Sequence, residues 1–175
     1  MGYIVTCEGV TNMSYMFSHV ELHGLDLSNF DTSNVTNMKN MFESCTYLQY
    51  LDLSSFDTYN VTNMGNMFDS TDLLSLDLSS FNTSNVKDMS WMFNGSRFNE
   101  LDLSSFNTSN VENMSFMFCN DYYLDTIKGV IDMKSCTNYE MMFYNCDKLE
   151  GVKIKNPPSD FDGAGLSSSQ FTIVS

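Results

Sequence analysis

Apolar residues recur along this chain in two alternating spacings. The tight alternation Leu51-Asp52-Leu53, seen again from Leu25, Leu76 and Leu101, predicts a short strand with its Asp turned outward. Between these, Val35, Met38, Met41 and Phe42 fall at i, i+3, i+6 and i+7, which predicts a short helical or 3₁₀ turn with that face inward. The block carrying the second spacing, "NVTNMKNMF" at Asn34, returns as "NVTNMGNMF" at Asn60, "NVKDMSWMF" at Asn85 and "NVENMSFMF" at Asn110. Weaker forms stand at Gly9 ("GVTNMSYMF") and Ser135 ("SCTNYEMMF"). Strand anchors step by 25 or 26 residues, with degenerate versions at Ile127 and Val152. Neither half of such a unit buries its apolar face alone, whereas stacking units buries both. The pattern therefore predicts an α/β repeat solenoid: one short parallel strand and one short helical turn in every coil of 25–26 residues.

The extra residue always falls between the Phe of "MF" and the next anchor. Phe68 to Leu73 spans five positions and Phe42 to Leu48 spans six. A segment that absorbs insertions while the rest keeps register is a surface loop. The period divides the chain into an N-terminal capping repeat at 1–24, four full repeats at 25–126, a degenerate C-terminal capping repeat at 127–155 and a tail at 156–175. In the last repeat Cys136 replaces the Val, and "VKIK" from Val152 is expected to add a final strand before Asn156-Pro157-Pro158 stops it. Lys128 and Lys153 then take the outward place held by Asp in earlier repeats. "FTIV" at Phe171 is placed to cover or pair with the open end. Two Asn columns, Asn34/Asn60/Asn85/Asn110 and Asn12/Asn37/Asn63/Asp88/Asn113/Asn138, are expected to satisfy backbone groups at fixed bends.

Leu48, Leu51, Leu53 and Phe56 fit L-x-x-L-x-L-x-x-N with Phe at the Asn place, so the coil reads as leucine-rich-repeat-like. The unit "LDLSSFDTYNVTNMGNMFDSTDLLS" closely resembles the roughly 25-residue surface-protein repeat of Gram-positive bacteria and mycoplasmas, allied to the BspA-type leucine-rich repeats, over about residues 10–155. That resemblance implies a binding module at the cell surface or outside the cell, engaging a protein or glycan on a cell surface. Similar repeats also occur in phage tail or baseplate proteins, which implies a virion component as the alternative. The wall-anchor motif L-P-x-T-G is absent from this sequence.

Composition narrows the chemistry. A net charge of −14 excludes a phosphate-backbone ligand and disfavours anionic lipid, and no apolar run is long enough to span a membrane. "MGYIVTCEGV" has neither the basic nor the apolar region of a signal peptide. The five cysteines, Cys7, Cys45, Cys119, Cys136 and Cys146, form no C-x-x-C pair and suggest neither zinc nor a redox couple. His19 and His23 lack the carboxylate of a metalloenzyme motif, and serines lie in the repetitive "DLSS". No catalytic residue, metal site or cofactor is expected. The 14 Met and 14 Phe fall mostly inside the repeat and are packing residues first.

What varies between copies is where binding is expected. The residue before "MF" is Tyr15, Asn40, Asn66, Trp91, Phe116 and Met141 in turn, and the loops carry Tyr47, Tyr122, Tyr123 and Tyr144. Two arrangements fit: an exposed aromatic edge built from Tyr15, Trp91, Phe116 and the loop tyrosines, or rings buried against one another between coils. The column Asp26, Asp52, Asp77 and Asp102 is the second candidate surface. Its carboxylates, one strand spacing (about 5 Å) apart, repel by a little under ~1 kcal/mol in water, so the column is solvated or met by cations.

Overall fold

The computed structural model describes residue 7 and residues 9–175. The readings placed on residues 1–6 and 8, including the opening segment, lie outside the described residues. Seven short strands are present among the described residues: β1 (Gly24–Leu25), β2 (Tyr50–Leu51), β3 (Glu100–Asp102), β4 (Thr126–Lys128), β5 (Ile131–Asp132), β6 (Val152–Lys155) and β7 (Phe171–Val174). All pairings among them are parallel: β1 with β2, β3 with β4, and β5-β6-β7 as one sheet. Successive repeats lie side by side in register along the whole series, since Asn12, Asn37, Asn63, Asp88, Asn113 and Asn138 bridge one another in parallel.

The Met-Phe side contains no helix. The helical element among the described residues is a 3₁₀ segment in the tail, Phe161–Ala164. Where a helical turn was expected, the chain makes consecutive tight turns, such as Met41 N to Met38 O and Glu43 N to Asn40 O, both reaching back three residues. Alternate N–H groups then donate to the next repeat: Met38 to Asn63 O, Asn40 to Gly65 O, Phe42 to Met67 O and Ser44 to Asp69 O. Two left-handed residues per repeat, Asn40 (φ 59°) and Ser44 (φ 56°) here, forbid helix continuation. The donors a helix would spend within itself are used to join repeats.

The inward side chains behave as the spacing predicts. Met38, Met64, Met89 and Met114 are buried, as are Val35, Val61, Val86 and Val111. Phe42, Phe68, Phe93, Phe118 and Phe143 stack with centroids 5.2–5.8 Å apart and near-parallel planes. The 3₁₀ segment closes the C-terminal end of this side: Met141 and Phe143 donate to Gly163 O and Ala164 O, as they would to a further repeat.

Polar columns fix the bends. Each member of the Asn12 column accepts from the N–H two residues on, and Asn60, Asn85 and Asn110 donate to a carbonyl of the preceding repeat. A column not anticipated from the sequence is buried: Thr32, Thr58, Thr83 and Thr108 each accept from a backbone N–H of the next repeat and donate to the same residue's carbonyl.

The strand side is less regular than its sequence. Leu76-Asp77-Leu78 forms no strand, while the serine bridges run on past it, Ser55 Oγ to Leu27 O (3.1 Å), Ser80 Oγ to Leu53 O (3.2 Å) and Ser105 Oγ to Leu78 O (2.9 Å). At the far end Ile154 lies beside Ile131 and Lys155 beside Asp132. Before β6, Glu150 N–H donates to Asp125 O, an offset of 25 residues, so Gly129 and Val130 stand as two extra residues between β4 and β5. Gly129 sits there at φ +97°, and a Cβ on it would lie 2.8 Å from the Leu103 carbonyl oxygen. "VKIK" is a strand, and "FTIV" pairs with it.

Gly165 is the sharpest steric demand in the tail. It sits at φ +89°, and a Cβ there would lie 2.9 Å from the Tyr144 nitrogen. Gly151 also has positive φ (+67°) but faces open space. Gly165→Ala is expected to cost about 1 kcal/mol more than Gly151→Ala in chemical denaturation, because both strain φ and only the first adds a clash. Equal costs would show that the tail does not pack on Tyr144.

Candidate functional site

Trp91 and Phe116 follow from the repeat's own register. Each is the residue before "MF", and each donates its N–H to the next repeat, Trp91 to Ser115 O and Phe116 to Glu140 O. Their rings stack face to face, 4.2 Å between centroids and 12° between planes. Both are half-buried, so the two arrangements open at the sequence level merge: each ring covers one neighbour and leaves part of itself to solvent. Met141, which holds the same variable position but was not part of the expected aromatic edge, continues this row on the next repeat and is exposed. Tyr15 does not join it. Asn40 and Asn66 occupy the intervening repeats, leaving Tyr15 exposed at the N-terminal end.

The backbone at this position is left-handed in all six copies, from φ 50° at Met141 to 61° at Tyr15. Asn tolerates that region because its short amide hydrogen-bonds locally, whereas a bulky side chain there costs roughly 1–2 kcal/mol. Asn40 and Asn66 suit this backbone, whereas Tyr15, Trp91, Phe116 and Met141 hold it with bulky side chains.

The loop tyrosines are exposed but dispersed. Tyr47 meets His23 edge-on (6.3 Å). Tyr122 lies over a side-chain ladder in which Asn145 donates to Asn120, Asn120 to Asn94, and Asn94 to Asp69. Tyr123 carries Lys148 Nζ 5.5 Å from its centroid, and Tyr144 stands exposed beside the buried Phe143.

Asp26, Asp52, Asp77 and Asp102 are all exposed, and each accepts from the N–H of the serine two residues on at 2.9–3.1 Å. Bonding from that serine holds all four carboxyls below their usual range; the hydroxyl is the larger cause at Asp26, Asp77 and Asp102, the N–H at Asp52. These aspartates close the turn after the strand. Lys128, paired with Glu100 at 2.6 Å, ends the column.

Among the described residues no group of three His, Cys, Asp or Glu is placed to hold a metal, and no helix is long and apolar enough to cross a membrane. The family described as "Mycoplasma protein of unknown function, DUF285" matches residues 5–95 and, overlapping, 48–156. The chain belongs to that family. No curated protein and no solved structure matches it. In this DUF285 chain the matched span holds the Trp91–Phe116 pair and every repeat block that frames it.

Proposed function

We propose that the chain is a non-enzymatic binding module, a leucine-rich-repeat-like solenoid of BspA type that works outside the cell and engages a protein or glycan on a cell surface. Trp91, Phe116 and Met141 are its contact ledge. One observation carries this reading: two bulky aromatic rings stand, stacked and half open to solvent, at left-handed positions where the two preceding repeats use Asn. The two left-handed backbones cost roughly 1–2 kcal/mol each, which offsets the stacking gain of about 0.5–1.5 kcal/mol and part of what the buried ring area contributes. Strain retained at a variable position points to a task other than folding. Exposed aromatics over a rigid base are also typical of recognition surfaces, where they supply contact area at little entropic cost.

The test is the double variant Trp91→Asn/Phe116→Asn, compared with the parent protein for co-sedimentation with intact Gram-positive cells and with mammalian cells. The variant is expected to melt within a few degrees of the parent and to lose at least tenfold in retention on whichever surface holds the parent. Undiminished retention would refute the ledge, and a collapse of the melting temperature would make the pair part of the core.

A further inference from the structure

The insertion-tolerant loops of three consecutive repeats and the residues just after them flank an open cleft of about 320 Å³, lined by Leu74, Arg97, Asn99 and Tyr123. Nothing in the scaffold calls for these residues. Leu74 is 68 % exposed, although the leucine before it, Leu73, fills the buried loop position. Tyr123 occupies the extra residue of a six-residue spacer and is half exposed. Arg97 is the single arginine of the chain, and it sits here in a protein of net charge −14.

The chemistry is specific. Arg97 Nε is 3.2 Å from Asp72 Oδ1, with both side chains partly exposed, so the pair presents guanidinium donors and a carboxylate acceptor side by side with no net charge. Asn99 adds an amide with both a donor and an acceptor. Tyr123 and Leu74 supply an aromatic face and an aliphatic contact. A tyrosine ring flanked by a neutralised acid–base pair and an amide complements a ring bearing apolar C–H faces and vicinal hydroxyls at its edge.

We propose that this cleft is a carbohydrate subsite that takes one neutral pyranose ring of a glycan, with its C–H face against Tyr123 and Leu74 and its hydroxyls on Arg97, Asp72 and Asn99. The proposal rests on the binding-module reading for its biological setting and on the cleft alone for its chemistry. An acidic sugar is disfavoured because its carboxylate would compete with Asp72 for Arg97. A cationic peptide is disfavoured because Arg97 lines the cleft and Lys148 Nζ lies 5.5 Å from the Tyr123 ring centroid.

Saturation-transfer NMR tests this, using methyl galactoside, methyl mannoside, methyl glucoside and N-acetylglucosamine, with N-acetylneuraminic acid and a tetralysine peptide as comparisons. At least one neutral pyranoside is expected to receive saturation with a millimolar Kd. That Kd should weaken tenfold or more in Tyr123→Ala and in Arg97→Gln and stay unchanged in Tyr59→Ser, an exposed change away from the cleft. Leu74→Asn, an exposed change that leaves the fold intact, is expected to weaken it several-fold. Saturation confined to the acidic sugar or the peptide would overturn the proposal, as would none at all or a signal indifferent to Tyr123 and Arg97. If pyranosides bind while no cell surface retains the protein, the subsite stands and the surface-adhesion reading falls. If cells retain the protein and no pyranoside binds, the reverse holds.

Discussion

Asp121→Ser is expected to make the protein more stable, and increasingly so as pH rises from about 4 to about 9. Asp121 is 2 % exposed and lies in a buried column whose other members, Cys45, Thr71, Ser96 and Cys146, are small neutral donors. Cys45, Ser96 and Cys146 each donate to the Phe carbonyl of the preceding repeat. Asp121 instead accepts from Ser96 N–H at 2.7 Å and leaves Oδ2 buried without a partner. Burial pushes its carboxyl up to about 9; the Ser96 N–H works against that shift, and the nearby Asp69 charge adds to it. In the unfolded chain the same group is ionised above about pH 4. Between those values the native state holds a proton that the unfolded state has released, so stability falls as pH rises, by up to about 1.4 kcal/mol per pH unit. Above the native value the loss levels off. The exposed Asp26, Asp52, Asp77 and Asp102 act oppositely: their lowered values add stability above the unfolded carboxylate range and lose it in acid. The parent protein should therefore be most stable near pH 4–5. Chemical denaturation across pH 4 to 9 checks this. Serine at 121 should flatten the fall, and an unchanged slope would assign it to other groups.

Met64→Asp should abolish the native fold. Met64 is fully buried, its N–H is committed to Asp88 O, and its side chain packs in the central repeat. An aspartate there meets no partner, so burying it costs more than ~4 kcal/mol, beyond what a volume change alone would cost. Met64→Leu, of similar volume, is expected to cost under ~1.5 kcal/mol. A thermal melt separates the two: a fall of about 10 °C or more, or no cooperative transition, for the aspartate variant, against a few degrees for leucine. A melting curve unchanged by Met64→Asp would refute the inward assignment of the whole methionine column.

What was legible in the sequence was side-chain direction. Val35, Met38, Met41 and Phe42 face inward because apolar spacing reports which side of the backbone is buried, whatever the backbone does. The backbone itself was not legible: spacings of i and i+3 suit a helical turn and a run of tight turns equally. The distinguishing signal was Asn40 and Ser44 at left-handed positions, with Gly95 at the equivalent of Ser44 in a later repeat. The Thr32–Thr108 column was missed although it recurs at a fixed place, because threonine reads as a surface residue until its partners two dozen positions away are known. The break at Leu76-Asp77-Leu78 had no signal, since its letters match those of the strands on either side. Of the candidate site, the positions were legible and their grouping was not. Tyr15 shares a sequence position with Trp91 yet lies three repeats away, while Leu74, Arg97 and Tyr123, roughly 25 residues apart, line one cleft.

The central claim, that the ledge and not the scaffold meets the partner, can be read from one atom. Trp91 is the single tryptophan, so biosynthetic 5-fluorotryptophan places one ¹⁹F resonance on the ledge. The measurement is that resonance before and after adding the cells that retain the protein, with a surface that does not retain it as control. The account predicts a shift or strong broadening with the first and none with the second, lost in Phe116→Asn as retention falls. Protein held on the cells with its ¹⁹F signal unmoved would contradict it and place recognition elsewhere on the repeats.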